Sequence, residues 1–308
     1  MASDKVNTYF AKGIREGLTD TVADLFADDC PLFAMSEKIK AISTKHEWQS
    51  DTLASASKTG IVEGASLSYS QPSTRTRVGN YTMIRLRNWD VTFTQLAVSV
   101  AGVKDQVARE VMKALKALVT DFESIFFNTG NTAVGATGTA RGCKGIQKAI
   151  VTNTAVGSAA KTTAVYALTE DVTNSLLQKI WSQGGDPRAL FCGGYTKRVI
   201  SKRFTAKTGF SWVMNASTRE AIANINKYEG SFGTLDIIPD RFHMKKRVTI
   251  TTPEMVKIAV LRDIEQYKGA PTASSIKGWC EAEMSLQWGN HLAHGKAKNL
   301  RTGGAIPA

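Results

Sequence analysis

A glycine-rich segment at residues 135–145 is the first place where this sequence could bind a phosphate group. It reads GATGTARGCKG. A Walker A loop needs the pattern GxxxxGK[ST], in which backbone amides and the lysine surround the phosphates. Here Gly142 is followed by Cys143, Lys144 and Gly145, so the magnesium-binding hydroxyl is missing. No predicted strand precedes the segment, which removes a dinucleotide fingerprint as well, and a flexible interdomain loop is the better interpretation.

Two pairs of polar side chains near the carboxyl end have spacings found in metal or catalytic sites. His291 and His294 are three residues apart, which could place both on one helical face as metal ligands. No third ligand or general base accompanies them, so a structural or solvent-facing role is favoured. Glu281 and Glu283 lie on one side of a predicted strand and could form a carboxylate pair, but carboxylates on the polar face of a strand are far commoner.

No catalytic constellation is recognisable elsewhere in the sequence. There is no GxSxG nucleophile elbow, and no cysteine has an identifiable histidine partner. The four cysteines, Cys30, Cys143, Cys192 and Cys280, are scattered singly without a CxxC pair, so buried free thiols are expected. We therefore predict that the protein is not an enzyme and that it has no catalytic residues, cofactor or metal.

The composition is that of a folded protein with an excess of positive charge. The chain has 308 residues, 43% of them hydrophobic, and a net charge of +12 from 39 Lys+Arg and 27 Asp+Glu. Such an excess favours contact with a polyanion, most commonly nucleic acid. The basic residues are dispersed, without an arginine-rich arm or a recognition helix, which suits a wall around stored nucleic acid better than a sequence reader.

The sequence gives no sign of membrane insertion or export. No apolar run approaches the ~18 residues needed to cross a bilayer. The amino terminus, MASDKVNTYF, lacks the apolar core of a signal peptide. We expect a soluble protein that is made in the cytoplasm and has no membrane partner.

A long amphipathic helix is predicted at residues 103–128. Gly130 lies just beyond its end, and no glycine or proline interrupts it. At about 1.5 Å per residue it would span roughly 35–40 Å, which is long for a globular domain. A stiff helix of this length, in a chain without an active site, indicates an architectural role. Its apolar residues recur at steps of three and four: Val107, Val111, Leu115, Leu118, Phe122, Ile125 and Phe126.

The residues before this helix predict an arm, a projecting hairpin and a sheet. Within residues 1–45, Pro31 is expected to break any helix, and the apolar side chains after it should dock elsewhere. Residues 46–72 are rich in small and polar residues, and the alternation around Leu67 and Tyr69 predicts an extended hairpin. Residues 77–102 alternate as strands do, with a turn near Asn88.

The second half of the chain predicts a mixed domain followed by a long strand. Residues 146–270 alternate between helix and strand signals. Thr169 is a candidate N-cap for a helix that Gly184 and Gly185 would end. Further strands are predicted at ALFCGG, TLDIIPD, RVTIT and VKIAVL, a short helix at GYTKRVISKRF, and one long strand within residues 276–292. The fold class is therefore predicted to be α+β.

This order of elements resembles the major capsid protein of tailed phages, which has the Hong Kong 97-type fold. That fold consists of an N-arm, an E-loop, a P-domain with a spine helix, and an A-domain. The similarity covers roughly residues 24–300, and HEWQSDTL at 46–53 and RVGNY at 77–81 are its most specific pieces. Further matching patterns are Pro31-Leu32, Thr94-Gln95, Asp121-Phe122-Glu123, Gly233-Thr234-Leu235, Glu281, Leu286 and Asn290-His291.

The resemblance implies a division of the chain into the parts of that fold. The N-terminal arm would be residues 1–43, and the E-loop, an extended hairpin, residues 44–85. The P-domain would comprise 86–130 and 271–300, with the spine helix at 103–128. The A-domain would be residues 131–270, and a C-terminal tail would follow at 301–308.

The resemblance also implies a function. The chain would be a major capsid protein, assembling with copies of itself into hexamers and pentamers of an icosahedral phage head. That head would enclose double-stranded DNA bound without sequence preference. Scaffolding, portal and decoration proteins are further implied partners, and the virion is the implied location. The Lys–Asn–Glu trio that crosslinks some capsids of this fold cannot be placed, so no covalent crosslinking is predicted.

Particular residues acquire expected roles from the same resemblance. Arg75 and Arg77, at the base of the E-loop, would pair with acidic groups on a neighbouring subunit. Trp48 would be a contact anchor, since Trp and Arg contribute disproportionately to interface energy. Asp51 and Tyr81 are further predicted inter-subunit contacts. On the spine helix, the residues expected to face the lumen or DNA are Arg109, Lys113 and Lys116.

Two other functions stay open from the sequence. An encapsulin-like nanocompartment shell would share the fold and enclose protein cargo, although the basic charge favours DNA inside. A cytosolic nucleic-acid-binding protein is supported by charge alone, and it would predict salt-sensitive binding by the isolated subunit.

Overall fold

The computed structural model describes residues 26, 28–53, 56–66, 74–100, 102–128, 130–156, 168–207, 213–214, 221–222, 226–271 and 273–300. The helices are α1 (Pro31–Met35), α2 (Phe93–Ala97), α3 (Gln106–Asn128), α4 (Ile146–Ala149), α5 (Glu170–Ser182) and α6 (Gly194–Lys207). The strands are β1 (Glu37–Lys40), β2 (Lys45–Ser50), β3 (Thr76–Tyr81), β4 (Met83–Thr92), β5 (Thr154–Val156), β6 (Ala189–Cys192), β7 (Val213–Met214), β8 (Ala221–Ile222), β9 (Lys227–Gly230), β10 (Gly233–Pro239), β11 (Val248–Thr251), β12 (Lys257–Lys268), β13 (Ser275–Gln287) and β14 (Gly295–Lys298). The predicted α+β class is confirmed.

The long helix α3 packs against a four-stranded sheet of order β1-β12-β13-β4. Its predicted apolar stripe is confirmed, because Leu118, Phe122 and Phe126 are fully buried in this core. The helix begins three residues later than predicted, at Gln106. The Asp105 carboxylate accepts a hydrogen bond from the Ala108 N–H at 3.0 Å, and this N-cap fixes the start of the helix. No helix among the described residues is long and apolar enough to cross a membrane.

Strand β4 continues through the turn that the sequence predicts near Asn88. It pairs with β13 in an antiparallel ladder that runs from Met83 opposite Met284 to Thr92 opposite Ser275. Asn88 lies opposite Trp279 in the middle of this ladder. The predicted turn is wrong because a long cross-strand ladder stabilises extended backbone more than one asparagine favours a turn.

Gly278 provides the space that Trp89 needs in this sheet. The two residues lie opposite each other on β13 and β4, and Trp89 is buried. A Cβ atom at position 278 would lie 2.3 Å from Trp89 Cζ2 and 2.5 Å from the Tyr267 carbonyl oxygen. Both distances are far inside van der Waals contact, and one of the two atoms belongs to rigid backbone.

We expect Gly278→Ala to lower the free energy of unfolding by about 3 kcal/mol, since overpacking a rigid core forces backbone shifts. Urea unfolding of the unassembled chain, followed by tryptophan fluorescence, measures this. Gly194→Ala is the matched control, because no atom lies within 4 Å of a Cβ built there. Equal unfolding midpoints for G278A and G194A would contradict the steric argument.

A second, six-stranded sheet has the order β5-β14-β11-β6-β10-β9. Helix α5 covers one face, where Leu176, Leu177 and Ile180 are buried against it. The predicted N-cap is confirmed, since the Thr169 hydroxyl accepts a hydrogen bond from the Val172 N–H. The opposite face meets the end of α3, where the Phe127 and Phe191 rings lie 5.2 Å apart. The two sheets therefore share a continuous packing contact.

Strands β12 and β14 each lie in a different sheet from the one that the predicted P-domain and A-domain boundaries imply. Strand β12 belongs to the four-stranded sheet, although its residues fall within the predicted A-domain at 131–270. It is placed there by its antiparallel ladder with β13, from Lys257 opposite Gln287 to Lys268 opposite Gly278. Strand β14 belongs to the six-stranded sheet, although it falls within the predicted P-domain segment 271–300.

The described part of the arm contains a short helix that starts at the proline expected to prevent one. Pro31 occupies the first turn of α1, where a missing N–H costs no hydrogen bond. The expected docking is confirmed, because Leu32 is buried in the core that α3 forms. The first 25 residues of the predicted arm, the loop at 67–73 and the tail at 301–308 lie outside the described residues.

Candidate assembly interface

The predicted E-loop begins as a two-stranded antiparallel hairpin. Strands β2 and β3 pair from Lys45 opposite Tyr81 to Ser50 opposite Thr76. Beyond the strands, in the described parts of the E-loop at 51–53 and 56–66, three large apolar side chains are exposed: Leu53 by 99%, Ile61 by 76% and Val62 by 79%. Large exposed apolar side chains along one segment indicate a contact surface for another molecule.

Trp48 fixes the base of this hairpin to the body of its own chain. Its indole Nε1 donates a hydrogen bond to the Gly289 carbonyl oxygen at 2.7 Å. Its ring meets that of Trp288 edge-on, with centroids 4.9 Å apart. Next to it, His46 Nε2 and Gln287 Oε1 are 2.7 Å apart. Trp48 is therefore half-buried in an intrachain contact, and its predicted role between subunits stays a prediction.

The charged residues at the base of the hairpin have partners within the chain. Arg77 forms an ion pair with Glu47, and the Arg75 guanidinium lies 3.7 Å from the Asp51 carboxylate. Both arginine side chains are largely exposed, so these pairs contribute little to stability. Tyr81, at the end of β3, has the Lys45 ammonium 6.0 Å from its ring centroid. Contacts of these residues with a neighbour stay predictions.

Asn80, inside the RVGNY segment, joins three separate parts of the chain. The residue is completely buried. Its side-chain amide donates to the Lys144 carbonyl oxygen at 3.0 Å and the Leu286 carbonyl oxygen at 2.8 Å. Its carbonyl oxygen accepts from the Lys144 N–H at 2.8 Å. The hairpin, the glycine-rich segment and strand β13 are thereby held in one arrangement.

The glycine-rich segment is ordered, contrary to the flexible loop predicted for it. Ala133 and Gly142 form an antiparallel bridge, and Ala136 and Thr139 form a second one inside it. Gly138 adopts a φ of +88° in the two-residue turn between Ala136 and Thr139, a conformation that favours glycine. The hydrogen bonds between Asn80 and Lys144 hold the carboxyl end of the glycine-rich segment in place. Tertiary contacts therefore give this segment an order that its composition does not predict.

Glu123 attaches the arm helix α1 to α3. Its two carboxylate oxygens accept hydrogen bonds from the N–H groups of Leu32 at 2.7 Å and Phe33 at 2.8 Å. These donors lie in the first turn of α1, where backbone N–H groups lack helical partners. Glu123 itself is fully buried. Burial raises its pKa to about 7, although the two N–H donors oppose the rise.

The two carboxylates considered as a catalytic pair take part in ion pairs instead. Glu281 and Glu283 both contact the Arg262 guanidinium, and Glu283 also contacts Arg141. The Thr82 hydroxyl donates a further hydrogen bond to Glu283 at 2.7 Å. Every oxygen of the buried Glu283 is thus occupied, which is typical of a structural ion-pair network.

The two histidines do not converge on a metal site. His294 is buried; its Nδ1 accepts from the Thr252 N–H at 3.3 Å, and its Nε2 lies 2.7 Å from the Trp288 carbonyl oxygen. Burial lowers its pKa to about 4, so the ring is neutral at pH 7. Within the described ranges, no group of three or more His, Cys, Asp or Glu side chains could hold a metal ion. The favoured structural role is confirmed for His294.

The predicted free thiols are also observed. Cys143, Cys192 and Cys280 are buried and unpaired, and Cys30 is half-buried. Burial raises the pKa of each thiol. A raised pKa disfavours the reactive thiolate, which is the behaviour of packing cysteines.

The cations of α3 that were expected to face DNA are mostly engaged within the chain. Lys113 pairs with Glu110 at 2.8 Å, one turn away on the same helix. Lys116 pairs with Asp28 of the arm at 2.7 Å, and its ammonium lies 4.9 Å from the Phe26 ring centroid. Arg109 also takes part in an interaction within the chain. Their predicted contact with DNA stays a prediction.

Sequence reasoning did not assign a role to Asn80 or Glu123, the two residues that join distant parts of the chain. Both lie in segments that the sequence marked as specific, RVGNY and Asp121-Phe122-Glu123. For Glu123 the sequence does hold a clue, since this carboxylate lies between phenylalanines on the apolar stripe. A buried carboxylate needs hydrogen-bond donors, so a contact with another segment could have been predicted. For Asn80 no comparable signal exists, since its partners come from distant segments.

Solved structures similar to this one include a capsid, a phage structure and an encapsulin complex. The capsid of the empty GTA particle matches with a TM-score of 0.68 at 12% identity, covering 96% of this chain and 100% of that one. Mycobacterium phage Adephagia matches with a TM-score of 0.60 at 14% identity, covering 96% and 98%. The holo-SrpI encapsulin complex from Synechococcus elongatus matches with a TM-score of 0.61 at 11% identity, covering 93% of each chain. The predicted Hong Kong 97-type capsid fold is confirmed.

The family follows from the sequence as a whole. A model of the SU10 major capsid protein family matches residues 3–301. The chain therefore belongs to the SU10 major capsid protein family, and its function is that of a capsid shell protein in the virion. No curated protein is significantly similar to it. The predicted tailed-phage major capsid protein is confirmed, and the encapsulin alternative has weaker support.

Proposed function

We propose that this capsid protein assembles through hexamers and pentamers into an icosahedral head that encloses double-stranded DNA. The observation that carries the proposal is the exposure of Leu53, Ile61 and Val62 on the E-loop, in the segment between β2 and β3. Residues of that size on an extended segment are stabilised by burial against a second copy, at roughly 1.5–3 kcal/mol for each side chain. Scaffolding, portal and decoration proteins are proposed as further partners, and the host cytoplasm as the place of synthesis.

The matching surface for the arm is the face of the four-stranded sheet turned away from α3. Ile84 and Leu86 on β4 are 46% and 48% exposed there. Their cross-strand neighbours Glu283 and Glu281 belong to the ion-pair network of Arg262. This apolar strip bordered by charged side chains is complementary to the E-loop, which carries exposed apolar residues along its length and arginines at its base. Such a contact joins different surfaces on the two copies, so it can close into rings.

Within this proposal the parts of the chain keep the names of the fold. Residues 44–85 act as the E-loop, α3 as the spine helix, the four-stranded sheet as the P-domain and the six-stranded sheet as the core of the A-domain. The residues proposed to contact a neighbour are Trp48, Asp51, Arg75, Arg77 and Tyr81. Through its contacts with Trp288 and Gly289, Trp48 also fixes the direction in which the E-loop projects.

Electron microscopy of the purified protein tests the proposal, together with the nucleic acid that survives nuclease treatment. Closed shells with protected DNA are the expected result, because the net charge of +12 for each copy calls for a polyanion inside. Shells that protect only protein would favour a nanocompartment. A species that stays monomeric at high concentration would overturn the proposal of self-assembly.

Substitution of the arm's apolar side chains should block assembly without unfolding the chain. We expect Leu53→Ser, Ile61→Ser and Val62→Ser together to raise the concentration needed for shell formation at least about tenfold, because apolar burial between copies is lost. Light scattering against protein concentration measures this. The control is Lys58→Gln with Glu63→Gln, two exposed polar residues of the same arm, which should assemble as the wild type does. Unchanged assembly of the triple variant would show that the arm is not a contact.

A further inference from the structure

Five cations that find no carboxylate partner in the described part of the chain meet at one end of the six-stranded sheet. They are Lys144, Lys148, Arg247, Lys296 and Lys298, here named the β14 cation cluster. Elsewhere in the described residues many lysines and arginines lie within 4.0 Å of an Asp or Glu oxygen, such as Arg77, Lys113 and Lys116. No such pair includes a member of the β14 cation cluster among the residues that the structure describes.

The fold brings the members of this cluster to one place. Lys296 and Lys298 are two residues apart on β14 and therefore lie on the same face, roughly 7 Å apart along the strand. Arg247 immediately precedes Val248, which pairs with Ala297 between them. The Lys296 ammonium donates a hydrogen bond to the Gln147 carbonyl oxygen at 2.8 Å, next to Lys148.

Lys144 completes the cluster on the side of the glycine-rich segment. Its ammonium lies 5.5 Å from the centroid of the Trp288 ring, a cation–π contact, and no described Asp or Glu forms an ion pair with it. Burial and the charges of the other four members lower the pKa of Lys296 to about 8. Burial is the larger cause, and the charges of the other four members add to it, which shows that these cations lie near Lys296.

We propose that the β14 cation cluster binds the phosphate backbone of double-stranded DNA and is the surface through which each copy contacts the DNA inside the head. The inference rests on the proposed function, in which the shell encloses DNA. Duplex DNA carries one negative charge for about 1.7 Å of helix axis, so a row of cations of this spacing meets several phosphates. The cluster contains no recognition helix and no exposed aromatic side chain, so contact is independent of sequence.

A second copy of the chain is a poorer partner for this surface. Each copy carries a net charge of +12, so copies repel one another at long range unless a polyanion lies between them. The clustered, unpaired cations contrast with Lys113 and Lys116 of α3, which already have carboxylate partners within the chain. The β14 cation cluster is therefore the better candidate for DNA contact.

The test is the binding of a fluorescent duplex of about 30 base pairs to the full-length protein, measured by anisotropy at several salt concentrations. We expect Lys148→Gln with Lys298→Gln to weaken binding roughly 10- to 100-fold at about 0.1 M salt and to reduce the slope of log K against log salt by about 2. Neither side chain forms a hydrogen bond or an ion pair with another described residue. Lys179→Gln with Lys268→Gln removes the same charge from exposed positions in other parts of the chain and is the matched control.

The outcomes separate this inference from the proposed function. Equal weakening by both double variants, or none by either, would overturn the site. Binding of poly-glutamate that depends on the cluster, without binding of the duplex, would also overturn it in favour of an acidic protein partner. Shells of K148Q/K298Q that form normally but protect less DNA than control shells support both proposals. Wild-type protein that forms no shells, yet binds the duplex through the cluster, would leave this inference standing and refute the proposed function.

Discussion

Replacing Asn80 with Asp should destabilise the chain by about 3–5 kcal/mol, because it places an unpaired charge in a buried position. The side chain keeps its size and shape, but the amide group that donates to the carbonyl oxygens of Lys144 and Leu286 becomes an oxygen that repels them. The link to β13 and the bond to the Lys144 carbonyl oxygen in the glycine-rich segment are then lost, and the bond from the Lys144 N–H remains. Urea unfolding of the unassembled full-length protein at pH 7 measures the change.

The chain offers a closely matched control for this substitution. Asn88 is exposed on β4, which begins three residues after Asn80, so Asn88→Asp introduces the same chemical change without burial. It should shift the free energy of unfolding by no more than about 0.5 kcal/mol. If N80D and N88D unfold at the same urea concentration, the hydrogen bonds of Asn80 do not hold the three segments together.

The pH dependence of the free energy of unfolding should reveal Glu123 as the group that attaches α1 of the N-terminal arm to α3. Its pKa is raised from 4.5 to about 7 in the folded chain, so between these values the folded state keeps a proton that the unfolded state releases. The free energy of unfolding therefore falls as pH rises from 4.5 through 7, by about 3 kcal/mol in all. Below pH 4.5 this contribution is fully present, and above pH 7 it is lost.

Glu123→Gln isolates this contribution, because an amide does not titrate. The difference in unfolding free energy between wild type and E123Q should change steadily across pH 4.5–7 and be flat on both sides. Two other titratable groups face the same region, the Asp240 carboxyl and the Cys30 thiol, and they are common to both proteins. Glu110→Gln, on the partly exposed side of the same helix, should retain the wild-type slope. Parallel curves for wild type and E123Q would refute the assignment.

Much of the architecture follows from local patterns in the sequence. Helix α3 was predicted because its apolar residues repeat at the period of a helix, and the observed core buries the predicted side chains. The cap of α5 at Thr169 depends on a hydrogen bond across three residues, which the sequence places together. The resemblance to phage capsid proteins rests on such segments in the right order.

The functional details depend on contacts between residues that are far apart in the sequence. Asn80 bonds to residues 64 and 206 positions away, and Glu123 bonds to a residue 91 positions away. No local period or propensity encodes these separations. The same reason explains why the ladder with β13 overrides the turn signal of Asn88, and why Asn80 orders the glycine-rich segment.

The sequence by itself determined the helix α3, the hairpin, the mixed domain and the capsid family, because these depend on short-range patterns and on the order of segments. The tertiary structure alone decided which sheet β12 and β14 join, since a strand is placed by its ladder partners and not by its position in the chain. The tertiary structure also decided which lysines and arginines form ion pairs with a carboxylate. Lys113 and Lys116 meet carboxylates. Lys144, Lys148, Arg247, Lys296 and Lys298 converge without a carboxylate partner among the described residues, because β14 lies between β5 and β11 in the second sheet.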